Sequence, residues 1–168
     1  MLSVFKSFPV AREVFRATAL PDRAGAYARD AITLGWEDRL RARGRRLSDG
    51  GVEFGTALPR GTLLCDGDCL VVDEARLVVT VVEQEEPVLV VEPRTASEWA
   101  LFAYAIGNSH QPLMVTDTAI VCPDVLGMEQ VLQHHDIPFR RSMSRFTPAS
   151  VGASPYAPGH RHGFEADR

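Results

Sequence analysis

The stretch with the most chemistry available is "GNSHQP", residues 107–112, where His110 follows a Gly-Asn pair and precedes Pro112. A neutral imidazole ligates transition metals, and a protonated one carries charge. If Gly107 or Asn108 takes the left-handed position that closes a helix, His110 projects from the short loop that follows and Pro112 stiffens its exit. An ordinary solvated loop histidine fits the same spacing. A second pair, His160 and His162 in "GHRH", alternates across Arg161. On a flexible segment two such imidazoles can close on one divalent ion, and nitrogen ligands suit Ni, Cu and Zn alike. A chance pair in an unstructured tail is the plain alternative.

Three other constellations invite chemistry but have structural explanations. His134 and His135 are adjacent, so on a helix they point about 100° apart and share no face; a helix C-terminus favours protonated histidine in any case. "CDGDC", Cys65 to Cys69, lacks the C-x2-C spacing of a zinc knuckle, no second cysteine pair follows it, and Asp66-Gly67 is a hairpin signal. In "RLRARGRR", Arg39, Arg41, Arg43 and Arg45 alternate. A strand would place all four on one solvated face that resists edge-to-edge aggregation; a docking site for an acidic partner protein is the functional alternative. Enzyme templates fit poorly, because the chain has no G-x-S-x-G, no H-E-x-x-H, no glycine-rich phosphate loop and no cysteine set against a motif-placed histidine.

Composition narrows the classes. A chain of 168 residues makes one ordinary domain or two small ones. With 45% hydrophobic and 24% charged residues it is expected to bury a core over most of its length. A net charge of -4 argues against a nucleic-acid binder. No apolar stretch approaches the roughly 20 residues needed to cross a bilayer, and the first residues lack an apolar signal segment, so a cytoplasmic protein with no membrane role is expected. Cys65, Cys69 and Cys122 cannot all pair within one chain and read as free thiols, with metal ligation as the alternative.

The elements that must position these residues follow from periodicity. "FRATAL", parts of "YARDAITLGWEDRLRARGRRLS", "GVEFGTAL", "TLLCDGDCLVV" and "RLVVTVVEQ" read as short strands, with Asp49-Gly50 and Asp66-Gly67 as hairpin turns. This is an all-β domain over residues 1–86. From residue 87 the pattern changes. "PVLVVEP" is a buried strand, and "TASEWALFAYAIGN" is a helix opened by a Thr95/Glu98 capping box, with Trp99, Phe102, Ala103 and Ile106 on one stripe. "PLMVTD" and "TAIVCP" are strands. "DVLGMEQVLQHH" is a second helix with Asp124 at its N-cap and Leu126, Val131 and Leu132 as apolar positions, and "IPFRRSMSRF" supplies a last strand. Strand, helix, strand, strand, helix, strand over 87–148 is the ferredoxin-like order. Residues 149–168, rich in Pro, Gly, Ala and Ser, are expected to form a flexible tail. The fold class is thus α+β.

These residues also resemble a known family. "GNSHQP" is similar to the G-N-x-H-x-P signature of the urease accessory protein UreE, and "WEDRLRARGRRLSDGGVEFGTALPRGTLLCDGDCL" resembles that family's W-x-x-R run, D-G turn, L-P-R-G segment and G-D-x-L hairpin. Two departures stand out: Ser109 replaces a common arginine, and "TPASVGASPYAPGH" stands where P-E-x-G-A-Y is frequent. The resemblance implies a nickel metallochaperone that delivers Ni(II) to urease during its maturation, with Zn(II) or Cu(II) also bound in vitro and no catalysis. It implies an N-terminal domain that binds peptide or partner surface, and a C-terminal domain that forms a homodimer. There His110 meets its symmetry mate around one metal ion, and His160 and His162 assist from the tail. The implied partners are urease apoprotein and accessory proteins including the GTPase UreG. Two competing classes remain: a protein-binding module with incidental histidines, and a zinc-dependent enzyme, which needs a third firm ligand and an open water position. Because only neutral imidazole ligates, metal affinity is expected to fall in acid.

Overall fold

Valine-rich runs separated by Gly and Asp turns fold the first half of the chain into two small sheets in the computed structural model, which describes residues 8–149. The chain divides between Glu86 and Pro87 into two units, each with its own core. No helix of the described residues is long and apolar enough to cross a membrane.

The first unit contains β1 (Val10–Ala11), β2 (Val14–Arg16), β3 (Ala28–Leu34), a short helix α1 (Trp36–Leu40), β4 (Arg43–Leu47), β5 (Glu53–Ala57), β6 (Asp68–Val72) and β7 (Leu77–Glu83). Its sheets run β2-β6-β7-β3 and β1-β5-β4. Alternate residues of the larger sheet, Ile32, Leu34, Leu70, Val72, Leu77, Val79 and Val81, pack with Phe54, Leu58 and Leu64 into one core. Cys69, Val71 and Val78 face the other way, against Ala24 and the partly buried Phe15, Leu20 and Tyr27.

Several expectations are corrected in this unit. "FRATAL" is strand only through Arg16; Ala17–Ala19 form a 3-10 turn, so β2 is three residues long. "WEDRL" is a helix, so the arginine run that begins at Arg39 is not one continuous strand. The Trp36 N–H donates to a Glu86 carboxylate oxygen at 2.7 Å, supplying the acceptor that a helix N-terminus needs, and any side chain at Gly35 would strike that carboxylate. The helix turns Arg39 inward. Its side chain is 1% exposed, pairs with Glu83 at 2.9 Å and donates to the Leu64 carbonyl at 3.0 Å. Arg46 is also buried and donates to the Asp38 and Arg41 carbonyls at the end of α1. The run therefore does not form one solvated arginine face: Arg41, Arg43 and Arg45 are exposed, while Arg39 and Arg46 hold the fold.

Asp49-Gly50 does lie in the β4–β5 hairpin, but the left-handed residue is Gly51 (φ 86°); Gly50 instead makes room for the Asp30 carboxylate. Asp66-Gly67 turns the chain into β6, whereas the β6–β7 link is made by residues 73–76 with Arg76 left-handed.

The second unit is built on β8 (Glu86–Val91), α2 (Ala96–Asn108), β9 (Met114–Val115), β10 (Ile120–Pro123), α3 (Met128–His134) and β11 (Arg140–Ser144), in the strand-helix-strand-strand-helix-strand order. The sheet order is β11-β8-β10-β9, with β8 and β10 antiparallel at its centre. Leu89, Val91, Ile120 and Cys122 pack against Ile106, Met128 and Leu132, and Trp99, Phe102 and Ala103 close over them, as the helical stripe requires.

The second helix starts later than expected. β10 runs through Pro123, and the Asp124 N–H still bonds to the Pro87 carbonyl at 3.0 Å, so the chain must turn before it can coil. Gly127 (φ 89°), not Asp124, takes the N-cap position, and the Asp124 carboxylate is engaged by Arg141. Leu126 is consequently 97% exposed, and the buried pair is Met128 and Leu132.

Candidate metal centre

His110 is positioned by the two ends of α2. At the start, Thr95 Oγ1 accepts from the Glu98 N–H at 3.1 Å, and the Glu98 carboxylate accepts from the Arg94 N–H at 2.6 Å. This is a capping box whose return bond falls one residue earlier than the usual pattern. Ile106, fully buried, anchors the last turn in the core.

The helix then closes on His110 itself. The His110 N–H donates to the Gly107 carbonyl at 3.0 Å, the Gln111 N–H donates to the Ile106 carbonyl at 3.4 Å, and the backbone of His110 is left-handed at φ 57°. These two bonds and one left-handed residue make a Schellman turn with histidine in the position that glycine normally holds. The expectation that Gly107 or Asn108 would be left-handed is therefore corrected: both remain in the helix. A left-handed residue with a Cβ costs roughly 1–2 kcal/mol, so the turn spends stability on an exposed imidazole.

His110→Gly should accordingly stabilise the metal-free protein by about 1 kcal/mol, whereas His110→Ala, which keeps a Cβ, should not. Urea unfolding of both variants checks this, and a glycine variant no more stable than alanine contradicts the strain.

The surroundings favour a cation. His110 stands at the negative end of a 13-residue helix. Leu101 and Tyr104, on the exposed side of α2, are 63% and 70% exposed and lead along the helix toward His110. The Ala149 N–H donates to the Leu113 carbonyl at 2.7 Å, so the last described residue is bonded to the chain at a point three residues beyond His110. His160 and His162 fall outside the described residues. Among the described residues no group of three or more His, Cys, Asp or Glu side chains could hold a metal ion. His110 thus belongs to no three-ligand group within one chain's described residues.

The other constellations are structural. The rings of His134 and His135 lie edge to face with centroids 4.9 Å apart, at the end of α3. In "CDGDC", Asp68 is buried, accepts from the Cys65 N–H at 2.8 Å and pairs with Arg16 at 2.5 Å, locking the turn. Burial pushes the Cys65 thiol up, and the Cys69 Sγ lies 3.7 Å from the Gly67 carbonyl. Burial pushes Cys122 up to about 12, so at neutral pH it is a core thiol rather than a thiolate ligand. A cleft of about 810 Å³, lined in part by Arg94, Glu98, Phe102 and Arg140, lies at the opposite end of α2, roughly 18 Å along the helix from His110.

Models for the N-terminal and the C-terminal domain of the UreE urease accessory protein match residues 12–83 and 86–167. A urease accessory protein UreE from Burkholderia thailandensis is 34% identical over 157 residues, covering 94% of this chain and 70% of its own length. Proteins of the same name from Burkholderia mallei and Burkholderia pseudomallei are 34% identical over 136 residues, covering 81% of this chain and 65% of theirs. The chain spans about two thirds of the length of these curated relatives. With both domain models matched in order over most of its residues, the chain belongs to the UreE family of urease accessory proteins, which are accessory chaperones and not enzymes.

Proposed function

We propose that the protein is a cytoplasmic nickel metallochaperone that carries Ni(II) to urease during maturation and hands it on through the GTPase UreG. The family is associated with metal handling, and a urease accessory role implies contact with urease and its other accessory proteins. The observation that carries the metal reading is His110 in the left-handed position of the α2 end turn, exposed and at the negative end of the helix dipole. A glycine there would be more stable, and metal binding is the reason we give for the histidine.

One imidazole is too few for a stable site, so the ion is held between two chains. Around a two-fold axis, each residue meets its own copy, and one displayed ligand per chain becomes two. The exposed Leu101 and Tyr104, on the helix that leads to His110, supply apolar surface for that contact. We read the second unit, with its β11-β8-β10-β9 sheet, as the ferredoxin-like dimerisation domain over residues 87–148, and the first, residues 1–86, as the partner-docking domain.

His160 and His162 complete the shell from the tail at 149–168. His160 is eleven residues beyond Ala149, a span of up to about 36 Å when extended, and Ala149 is bonded at Leu113. Chain geometry therefore allows both imidazoles to reach His110. A shell made of two fixed and several tethered ligands holds the ion and still opens for transfer. Zn(II) and Cu(II) fit the same nitrogen donors in vitro.

Native mass spectrometry of the nickel-loaded protein tests this reading, with one ion shared by His110 in each dimer as the expected species. Ending the chain after Ala149 should keep the dimer and weaken nickel binding by about tenfold, the scale of losing supporting ligands. Unchanged affinity removes the tail from the site. Because protons compete for imidazole, the ion should be released as the pH falls.

A further inference from the structure

The outer edge of β4 carries hydrogen-bonding groups and charge that the metal site does not use. In the β4–β5 hairpin the Ser48 N–H donates to the Val52 carbonyl at 3.0 Å and the Leu58 N–H to the Ala42 carbonyl at 2.9 Å. The same register pairs Gly44 with Thr56 and Arg46 with Phe54. Hydrogen-bonded and non-hydrogen-bonded pairs alternate along an antiparallel ladder. The even-numbered residues of β4 therefore bond to β5, and the N–H and C=O groups of Arg43, Arg45 and Leu47 point away from it. β4 is the last strand of its sheet, and among the described residues nothing is hydrogen-bonded to those outward groups.

The side chains of the same three residues are exposed, while Arg46 and Ser48 point inward. Arg43 and Arg45 form no ion pair among the described residues, although the chain as a whole is acidic. The Arg45 guanidinium lies 5.3 Å from the Phe8 ring centre. A hollow of about 210 Å³ opens between Phe8, Arg45, Leu47 and Glu53. Backbone groups and two cations thus recur along one free edge.

We propose that the β4 edge takes up an extended acidic segment of a partner protein as an added strand. Its main chain bonds to Arg43, Arg45 and Leu47, and carboxylates at alternate positions meet the two guanidiniums. Strand addition draws affinity from the main chain and specificity from alternate side chains, and guanidinium matches carboxylate in a two-point contact. Charged edges also serve simply to prevent aggregation; such an edge has no use for an acidic strand. This inference deepens the docking role proposed for the first unit and is independent of the metal.

The test uses the full chain without metal and a fluorescein-labelled octapeptide of alternating Glu and Val, with a Lys/Val peptide as control, in roughly 0.15 M salt to suppress weak surface attraction. Saturable anisotropy is expected for the acidic peptide alone, with slowed amide exchange at Arg43, Arg45 and Leu47. R43E/R45E should weaken binding by about tenfold or more, and methylating alternate peptide nitrogens should abolish it. No binding, equal affinity in R43E/R45E, or protection confined to other strands overturns the edge assignment. Nickel titration of R43E/R45E should match the parent protein, so failure here is separable from failure of the metal reading.

Discussion

His110→Ala should lower nickel affinity by more than about 100-fold, because loss of a mere outer-shell partner already costs about 10–100-fold and this change deletes a direct ligand from both chains at once. Calorimetric titration of the purified dimer measures it. The substitution is at an exposed side chain and keeps a Cβ on the same left-handed backbone, so the fold and its stability should be preserved. That separates the effect from unfolding. The His110→Gly variant sharpens the contrast, since it should be the more stable protein and bind nickel no better than alanine. A variant of either kind that titrates like the parent protein would remove His110 from the site.

Arg39→Ala should have the largest effect on folding. The guanidinium is 1% exposed and joins Glu83, at 2.9 Å, to the Leu64 carbonyl, at 3.0 Å. Removing it leaves a carboxylate that is 14% exposed and a backbone acceptor without their cation. Breaking a buried pair in this way costs about 3–5 kcal/mol, against a total stability of roughly 5–15 kcal/mol for a domain. Amide exchange in β3 and β7 should accelerate strongly, while α2 and α3, in the other unit, report on the second core. Arg43→Ala, four residues on and fully outside the core, should leave exchange unchanged. Equal behaviour of the two variants contradicts the account of the arginine run.

These two residues also mark where the sequence could and could not be read. The order of elements after residue 87 was legible because long-range patterns produced it: a capping box at Thr95 and Glu98, a stripe from Trp99 to Ile106, and a continuous apolar run in β8. The fate of Arg39 was not. A five-residue helix is too short for its period to register against strand alternation, and it is held by Glu86, fifty positions away. The late start of α3 has a similar cause, since the ladder bond from Asp124 to Pro87 decides it and local capping chemistry does not.

The candidate site was legible in part. His110 stood out through its spacing, but glycine's ordinary preference placed the left-handed turn on Gly107 or Asn108. Burial of Ile106 and the Gly107–His110 bond carry the helix further and put the strain on the histidine. That shift strengthens the functional reading, because a loop histidine needs no explanation and a left-handed one does. The exposed stripe of Leu101 and Tyr104 has a weaker signal, since both positions lie off the buried stripe and emerge only on the opposite face of the helix.

The central claim is that His110 and its symmetry mate hold the nickel ion, and the most direct measurement is a crystal structure of the nickel-loaded full chain, residues 1–168. The expected result is a dimer with nickel on its two-fold axis, bound by His110 from each protomer and joined by His160 or His162. Nickel bound at His134 and His135, or at the Cys65–Cys69 turn, with His110 unligated, would contradict it.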